Sequence, residues 1–287
     1  MAGTVGVIGL GIMGGAISRN LAQAGWTVFG YDTDASRCPA GVTLCDSAVA
    51  VARQAEVVLT SLPSPKAVLA TAQAMASAGL PPRVVVELST LALADKLAFH
   101  AALPGHIALD CPLSGTGAQA QTRDLVVYAS GETASIDRLR PLFQGFARLT
   151  HDLGAYGNGT KMKFVANLLV AINNVASAEA MVLGMKAGLD PHQLVELVKS
   201  GAANSRVFEL RAPMMAEANY LPATMRCEIW QKDMDVIGHF ATELGVPTPL
   251  FSATLPVYAA AMAQGHATED TAAVCAVLEA MAGMEKR

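Results

Sequence analysis

Charged residues are scarce in this chain: Lys, Arg, Asp and Glu make up only 15% of its 287 residues. The 20 basic and 24 acidic side chains give a formal charge of -4, and no run of Lys or Arg forms a basic patch. Proteins that bind nucleic acids neutralise phosphates with such patches. The sequence therefore argues against nucleic acid as a partner.

Cysteine is also sparse. The five cysteines are widely spaced, odd in number and contain no Cys-x-x-Cys pair, which argues against a disulfide framework and a zinc knuckle. The six histidines lack the His-x-x-x-His and His-Glu-x-x-His spacings of metalloenzymes, so we predict no metal site. No basic segment precedes the first apolar run, so we expect no export and a cytoplasmic location.

A long uninterrupted apolar run is missing as well. The most apolar stretch, residues 164–185, is broken by Asn167, Asn173, Asn174 and Glu179. Each of these side chains would be costly in lipid. The sequence predicts a buried helix here and no membrane partner.

Apolar residues, by contrast, reach 52%, and the length is that of about two domains. Short β-branched runs alternate with Ala-rich segments of helical composition in the first part of the chain. This order predicts a Rossmann-type doubly wound α/β domain over residues 1–156. The expected strands are residues 4–8, 27–31, 57–60, 84–88, 106–110, 125–129 and 148–152, with a first helix near residues 14–24.

No convincing strand follows residue 154. Segments of Ala, Leu, Met, Glu and Lys, broken by Gly and Pro, predict an all-helical domain over residues 157–287. Its first helix, near residues 158–187, would be about 45 Å long and would join the two domains directly.

A glycine-rich turn follows the first predicted strand. Gly9, Gly11 and Gly14 form a G-x-G-x-x-G that opens a helix, and Asp32 ends the next strand. In a dinucleotide-binding fold, the first glycine makes a tight turn, the second lets the backbone approach a pyrophosphate, and the third allows close packing. The charge of Asp32, with Asp34 nearby, would repel a 2′-phosphate, so NAD is favoured over NADP. A structural glycine turn with a surface aspartate is the alternative.

A polar stripe marks one face of the long helix. At about 100° per residue, Lys163 shares a face with Thr160, Asn167 and Asn174, while Lys161 lies about 160° away and is expected to face solvent. An amine and two amides on an apolar helix need polar partners, and a bound substrate would supply them. A snorkelling lysine beside capping asparagines is the alternative.

Taken together, the motifs resemble the β-hydroxyacid dehydrogenase family. Residues 9–14, Gly-Leu-Gly-Ile-Met-Gly, match its G-x-G-x-M-G, and Leu62 and Pro63 match the Leu-Pro of its cofactor loop. Residues 88–90, Leu-Ser-Thr, resemble its D-x-S-T segment, with Glu87 in place of the acid.

The later motifs point the same way. Residues 110–115 resemble the family's D-x-P-V-S-G, and residues 157–167 match its G-x-G-x-x-x-K-x-x-x-N. Lys232 and Asp233 match a late Lys-Asp pair. The chain departs from the family at Ala166, usually asparagine, and at Thr116, usually glycine.

The resemblance implies roles for these residues. Lys163 would be the general acid/base, Asn167 would orient the substrate hydroxyl, and Ser114, Gly115 and Thr116 would hold the substrate carboxylate. The implied cofactor contacts are Gly9, Gly11, Ile12, Met13, Gly14, Asp32, Leu62, Pro63, Thr90 and Lys232. Thr116, Gln119 and Arg123 either add donors that favour a more hydroxylated acid or are loop residues without ligand contact.

The implied function is NAD(P)-dependent interconversion of a small 3-hydroxy acid and its semialdehyde or keto form, in a homodimer or homotetramer. An imine reductase on the same scaffold is one alternative, and Lys163 argues against it. A non-catalytic dinucleotide-binding interaction protein is another. A decarboxylating 6-phosphogluconate dehydrogenase would need a much larger helical domain.

Overall fold

The computed structural model describes residues 3–285, which divide into two compact units. The first unit ends at Lys163 and the second begins at Phe164. The division falls inside one long helix, seven residues beyond the boundary at 156/157 that the sequence predicts.

The first unit is built on a six-stranded parallel sheet with the strand order β3-β2-β1-β4-β5-β6. This is the doubly wound order, so the predicted fold is confirmed. The order reverses between β1 and β4, and ligands bind such folds at the carboxyl ends of the strands beside that reversal. The strands are β1 (Thr4–Ile8), β2 (Thr27–Tyr31), β3 (Val42–Leu44), β4 (Val57–Thr60), β5 (Val84–Glu87) and β6 (Ile107–Asp110).

Helices cover both faces of this sheet. Alternate residues of a strand point to opposite faces: Val84 and Val86 pack into one apolar core, whereas Val85 packs into the other. The helices of this unit are α1 (Ile12–Gln23), α2 (Ala48–Gln54), α3 (Pro65–Ala76), α4 (Leu93–Ala101), α5 (Gly117–Gln121) and α6 (Thr133–Gln144).

A second, three-stranded sheet completes the first unit. Its strands are β7 (Leu113–Ser114), β8 (Val126–Ala129) and β9 (Leu149–Asp152), in the order β7-β8-β9. β7 pairs antiparallel with β8, and β8 pairs parallel with β9. The sequence predicted neither β3 nor β7, because runs of three and two residues are too short to show a period.

Within the described residues 164–285, the regular secondary structure of the second unit is helical, apart from an isolated bridge between Arg226 and Asp270. This confirms the predicted all-helical domain. The buried Asp270 carboxylate accepts bonds from the backbone of Thr224, Met225 and Ala272. The helices are α7 (Asn158–Lys186), which begins in the first unit, α8 (Pro191–Lys199), α9 (Arg206–Ala216), α10 (Cys227–Glu243), α11 (Pro249–Ala263) and α12 (Val274–Met281).

Helix α7 is, within residues 3–285, the one helix long and apolar enough to cross a membrane by length and composition. In its most apolar 18-residue stretch, 44% is buried inside the structure. Core helices of globular proteins have the same character when they are apolar all round.

Candidate active site

The glycine turn lies between β1 and α1, at the point where the sheet order reverses. Gly9 has φ +90°, which favours glycine, and a Cβ on Gly14 would overlap the carbonyl oxygen of Gly9. Gly11 differs, because a Cβ built there meets nothing within 4 Å. The backbone conformation at Gly9 and the close packing at Gly14 explain why glycine stands at these two positions. The open space at Gly11 fits instead a bound group that approaches the backbone closely.

The start of α1 is suited to an anion. Its N-cap is Gly11, which makes no side-chain cap hydrogen bond, and its first turn contains no acidic residue. The backbone N–H groups of a helix N-terminus bind phosphates well. The exposed Ile12 and half-buried Met13 stand in this first turn. These features fit the pyrophosphate of a dinucleotide.

Asp32 comes directly after β2 and is fixed by the backbone. Its carboxylate accepts a bond from the Leu10 N–H at 2.7 Å and one from the Asp34 N–H at 2.9 Å. Each carboxylate oxygen has a second lone pair, so Asp32 can still accept from ribose hydroxyls. The residue thus lies where a dinucleotide-binding acid is expected.

Arg37 lies beside Asp32 and Asp34, a contact that the sequence motifs do not indicate. Its guanidinium lies 3.7 Å from Asp32 Oδ1 and 3.3 Å from Asp34 Oδ2. Hydrogen bonds from Ser36, and then the charge of Arg37, lower the pKa of Asp34. The two carboxylates after β2 therefore have a cation beside them, and the position of Arg37 five residues after Asp32 is the sequence signal that could have indicated it.

The loops after β4 and β5 are tied to each other. The Leu62 N–H donates to Ser89 Oγ at 2.9 Å, while Pro63 is exposed and Thr90 is half-buried. Two segments that the sequence assigns to the cofactor therefore lie side by side at the carboxyl edge of the sheet.

Behind these loops lies a buried ion cluster that the sequence analysis missed. Glu87 and Asp110 end the neighbouring strands β5 and β6 in direct register. The Lys96 ammonium, from α4, pairs with Glu87 and lies 3.0 Å from Asp110 Oδ1. Burial alone lowers the pKa of Lys96, but the two carboxylates outweigh it and the pKa is raised. Glu87, whose place in the motif predicts only a replacement acid, forms an ion pair with Lys96.

The same cluster holds the first turn of α7. The Thr160 N–H and hydroxyl each donate to the Asp110 carboxylate at 2.8 Å. The Gly159 N–H donates to Ser130 Oγ at 2.9 Å, and that hydroxyl in turn donates to the Asp110 carbonyl oxygen at 3.1 Å. A carboxylate at a helix N-terminus is favoured by the helix dipole.

The two lysines of α7 lie in different surroundings, as the helical spacing predicts. Lys163 is 8% exposed, whereas Lys161 is exposed and donates to Asn158 Oδ1 at 3.1 Å. The expectation that a ligand supplies the partners of the two amides is wrong for Asn174, which donates to core groups of the second unit. Thr160, on the same face, bonds to Asp110.

In the second unit, Asn167 and Lys232 share one neighbour. The Asn167 amide nitrogen donates to Asp233 Oδ2 at 2.9 Å, and Lys232 Nζ lies 3.4 Å from Asp233 Oδ1. Asn167 and Asp233 are buried, while the Lys232 side chain is 41% exposed. This contact directs the amide oxygen of Asn167 away from Asp233.

The segment 114–116 joins β7 to α5. Ser114 ends β7, Gly115 has φ +132°, and Thr116 caps α5. Thr116 and Gln119 form a reciprocal capping box, in which the Thr116 N–H donates to Gln119 Oε1 at 3.0 Å. Arg123 lies instead in a surface groove beside Trp26 and Pro141.

Residues 3–285 contain no group of three or more His, Cys, Asp or Glu side chains that could hold a metal ion.

Comparisons with known proteins cover nearly the whole chain. Residues 4–157 match the NAD-binding domain of 6-phosphogluconate dehydrogenase. Residues 157–278 match the model described as NAD-binding of NADP-dependent 3-hydroxyisobutyrate dehydrogenase. An L-threonate dehydrogenase from Cupriavidus necator is 31% identical, over 96% of this chain and 95% of its own length. The chain belongs to the β-hydroxyacid dehydrogenase family.

Two further relatives agree. A probable 3-hydroxyisobutyrate dehydrogenase from Mycobacterium tuberculosis is 30% identical, over 97% of this chain and 99% of its own. The solved structure of a Mycobacterium tuberculosis 3-hydroxyisobutyrate dehydrogenase with L-serine has a TM-score of 0.87 at 28% identity, covering 97% and 99% of the two chains. This β-hydroxyacid dehydrogenase is therefore an NAD(P)-dependent oxidoreductase acting on CH–OH groups, which favours neither the imine reductase nor the non-catalytic alternative.

Proposed function

We propose that the enzyme interconverts a small 3-hydroxy acid and its semialdehyde or keto form, with Lys163 as general acid/base. The observation that carries this proposal is the contrast between the two lysines of α7. Lys163 is buried one turn after the anchored Thr160, whereas Lys161 faces solvent. A lysine kept within the structure is shielded from solvent, and a shielded ammonium is suited to proton transfer.

The chemistry that NAD(P) supplies when bound is hydride transfer. Gly9, Gly11 and Gly14, with Ile12 and Met13 in the first turn of α1, would hold its pyrophosphate. Further contacts would come from Asp32, Leu62, Pro63, Thr90 and Lys232.

The chain's own residues would handle the proton and the substrate. In reduction, the Lys163 ammonium donates a proton to the carbonyl oxygen, and in oxidation its amine takes the proton back. One N–H of the Asn167 amide donates to Asp233, and the amide oxygen would accept a bond from a substrate hydroxyl. This arrangement orients the hydroxyl for proton transfer.

Ser114, Gly115 and Thr116 would hold the substrate carboxylate. Several converging neutral donors suffice for this, because a hydrogen bond to a charged acceptor contributes about 1.5–3 kcal/mol. The Thr116 N–H already donates to Gln119, so Thr116 would contribute its hydroxyl. Relatives named for L-threonate and 3-hydroxyisobutyrate make these acids the first two probes, and serine, glycerate and 4-hydroxybutyrate complete the screen.

The test is Lys163→Ala, with Lys161→Ala as the matched control on the same helix. With L-threonate or 3-hydroxyisobutyrate and NAD, Lys163→Ala should lower kcat by roughly 10²–10⁴-fold and leave NADH binding nearly unchanged. Lys161→Ala should do little. The assignment is wrong if the effects of the two substitutions are reversed, or if Lys163→Ala retains the kcat of the unmodified enzyme.

A further inference from the structure

Three charged side chains of the first unit are fully buried and take no part in the chemistry proposed above. Glu87, Lys96 and Asp110 are each 0% exposed. A buried ion cluster is weak evidence for stability, because apolar residues of similar volume often serve as well or better. Its presence at the carboxyl edge of the sheet therefore calls for another account.

The geometry of the strands makes a cation necessary. Glu87 and Asp110 are paired in register, and neighbouring strands lie about 4.8 Å apart, so two carboxylates would repel each other there. Lys96 lies against both and leaves the cluster with one net negative charge. Backbone donors offset that charge: the Ser89 N–H donates to Glu87 at 2.9 Å, and the Thr160 N–H to Asp110 at 2.8 Å.

Each carboxylate also anchors a segment that carries proposed site residues. Glu87 holds the turn that leads to Thr90 through the Ser89 N–H. Asp110 precedes the segment that leads to Ser114, and its side chain holds Thr160, three residues before Lys163. Lys96 contacts both carboxylates.

We propose that Lys96 is a positioning residue of this enzyme. Its ammonium joins the ends of β5 and β6, and through them it fixes the Ser89–Thr90 turn and the first turn of α7 relative to each other. The effect on turnover acts through Lys163, so this part of the inference rests on the proposed function. Misplacement of a catalytic group by about 1 Å can cost 10²-fold in rate.

The test removes the contacts of Lys96 with Glu87 and Asp110 and keeps the net charge of the cluster. In Glu87→Gln/Lys96→Met, Asp110 remains as the single charge, and its bonds from Thr160 and contact with Ser130 are untouched. The matched control is Glu196→Gln/Lys199→Met, which changes the same residue types in a surface pair on α8, 3.2 Å apart.

We expect kcat with L-threonate or 3-hydroxyisobutyrate to fall at least about tenfold in the cluster variant and less than about twofold in the control. In the Lys163→Ala background, the same double substitution should change the residual rate less than about twofold, because groups that act as a unit are not additive. A merely structural defect would lower the rate by the same factor in both backgrounds.

Hydrogen exchange of residues 157–163 gives a readout that does not need turnover. Exchange should be at least about tenfold faster in the cluster variant and unchanged in the control. If Lys163→Ala proves fully active, the proposed function fails, and exchange at these residues still decides whether Lys96 holds α7.

Unchanged kcat in a folded cluster variant, equal fold losses in both backgrounds, or unchanged exchange would each overturn the proposal. Should the cluster variant fail to fold, Thr160→Val decides by the same three measurements. It removes only the hydroxyl bond to Asp110 and keeps the backbone bond. A kcat at least about threefold lower, with no further loss beside Lys163→Ala, then supports the proposal, and the kcat of the unmodified enzyme overturns it.

Discussion

Replacing Gly11 by alanine adds a single methyl group at the place where a pyrophosphate would approach α1. The methyl meets no protein atom within 4 Å, and the backbone at Gly11 has φ -65°, which alanine adopts without strain. The free energy of unfolding should therefore change by less than about 1 kcal/mol. Alanine is a slightly poorer N-cap than glycine, but it stiffens the unfolded chain, so less entropy is lost on folding and the two effects offset each other. Any large effect must come from the ligand.

The size of that effect follows from the hydrogen bonds at stake. If the methyl keeps one phosphate oxygen from a backbone N–H, one charge-assisted bond is lost, and such a bond contributes about 1.5–3 kcal/mol. This corresponds to a loss of roughly 10- to 150-fold in NADH affinity. The proposed acid/base, Lys163, is unaffected, so kcat at saturating cofactor should fall much less than affinity.

Fluorescence titration with NADH and thermal melting of the same samples measure both quantities. Gly201→Ala is the matched control, because a Cβ there meets its nearest atom only at 3.8 Å. Gly14→Ala marks the opposite extreme, since its Cβ would overlap the Gly9 carbonyl oxygen and should lower the melting temperature. NADH affinity within twofold of the unmodified enzyme in Gly11→Ala would refute the phosphate assignment at α1.

Three shorter predictions concern the cofactor, the acid and the assembly. The unmodified enzyme should prefer NAD, and a preference for NADPH of about tenfold or more would contradict this. Asp32→Ser should shift kcat/KM toward NADP, because it removes a negative charge and releases Arg37 from its ion pair with Asp32. Ser114→Ala should raise KM for the acid about tenfold and affect an analogous alcohol without a carboxylate much less, while equal losses would mean that Ser114 only shapes the loop. Light scattering should show at least a dimer, and an active unmodified enzyme with the 29.7 kDa mass of one chain would refute this assembly. Leu183 is 74% exposed on α7, so Leu183→Asp should lower the measured mass toward that of one chain.

The sequence predicts much of this fold because its main elements are locally encoded. The β-branched runs of β1 and β4 are bounded by turn residues, and the glycine turn marks the start of α1. β3 and β7 lack such a signal. β7 is only two residues long and is a strand because it pairs with β8, a contact that local sequence does not contain.

The candidate site divides in the same way. The shared face of Thr160, Lys163 and Asn167 follows from helical geometry, and the structure buries all three. The role proposed for Lys96 could not be predicted, because the local sequence of α4 does not distinguish Lys96 from a solvent-exposed lysine of a surface helix. Its burial depends on Glu87 and Asp110, which meet only through the register of β5 and β6.

The unbroken course of α7 has a consequence for how this site can change. Lys163 is the last residue of the first unit, and Asn167 lies four residues further along the same helix, in the second. Backbone hydrogen bonds hold the two residues about 6 Å apart along the axis and about 40° apart around it. Insertion of a single residue between them, within an unbroken helix, would turn Asn167 by about 100° relative to Lys163. The relative orientation of Lys163 and Asn167 is thus set by the number of residues between them in α7.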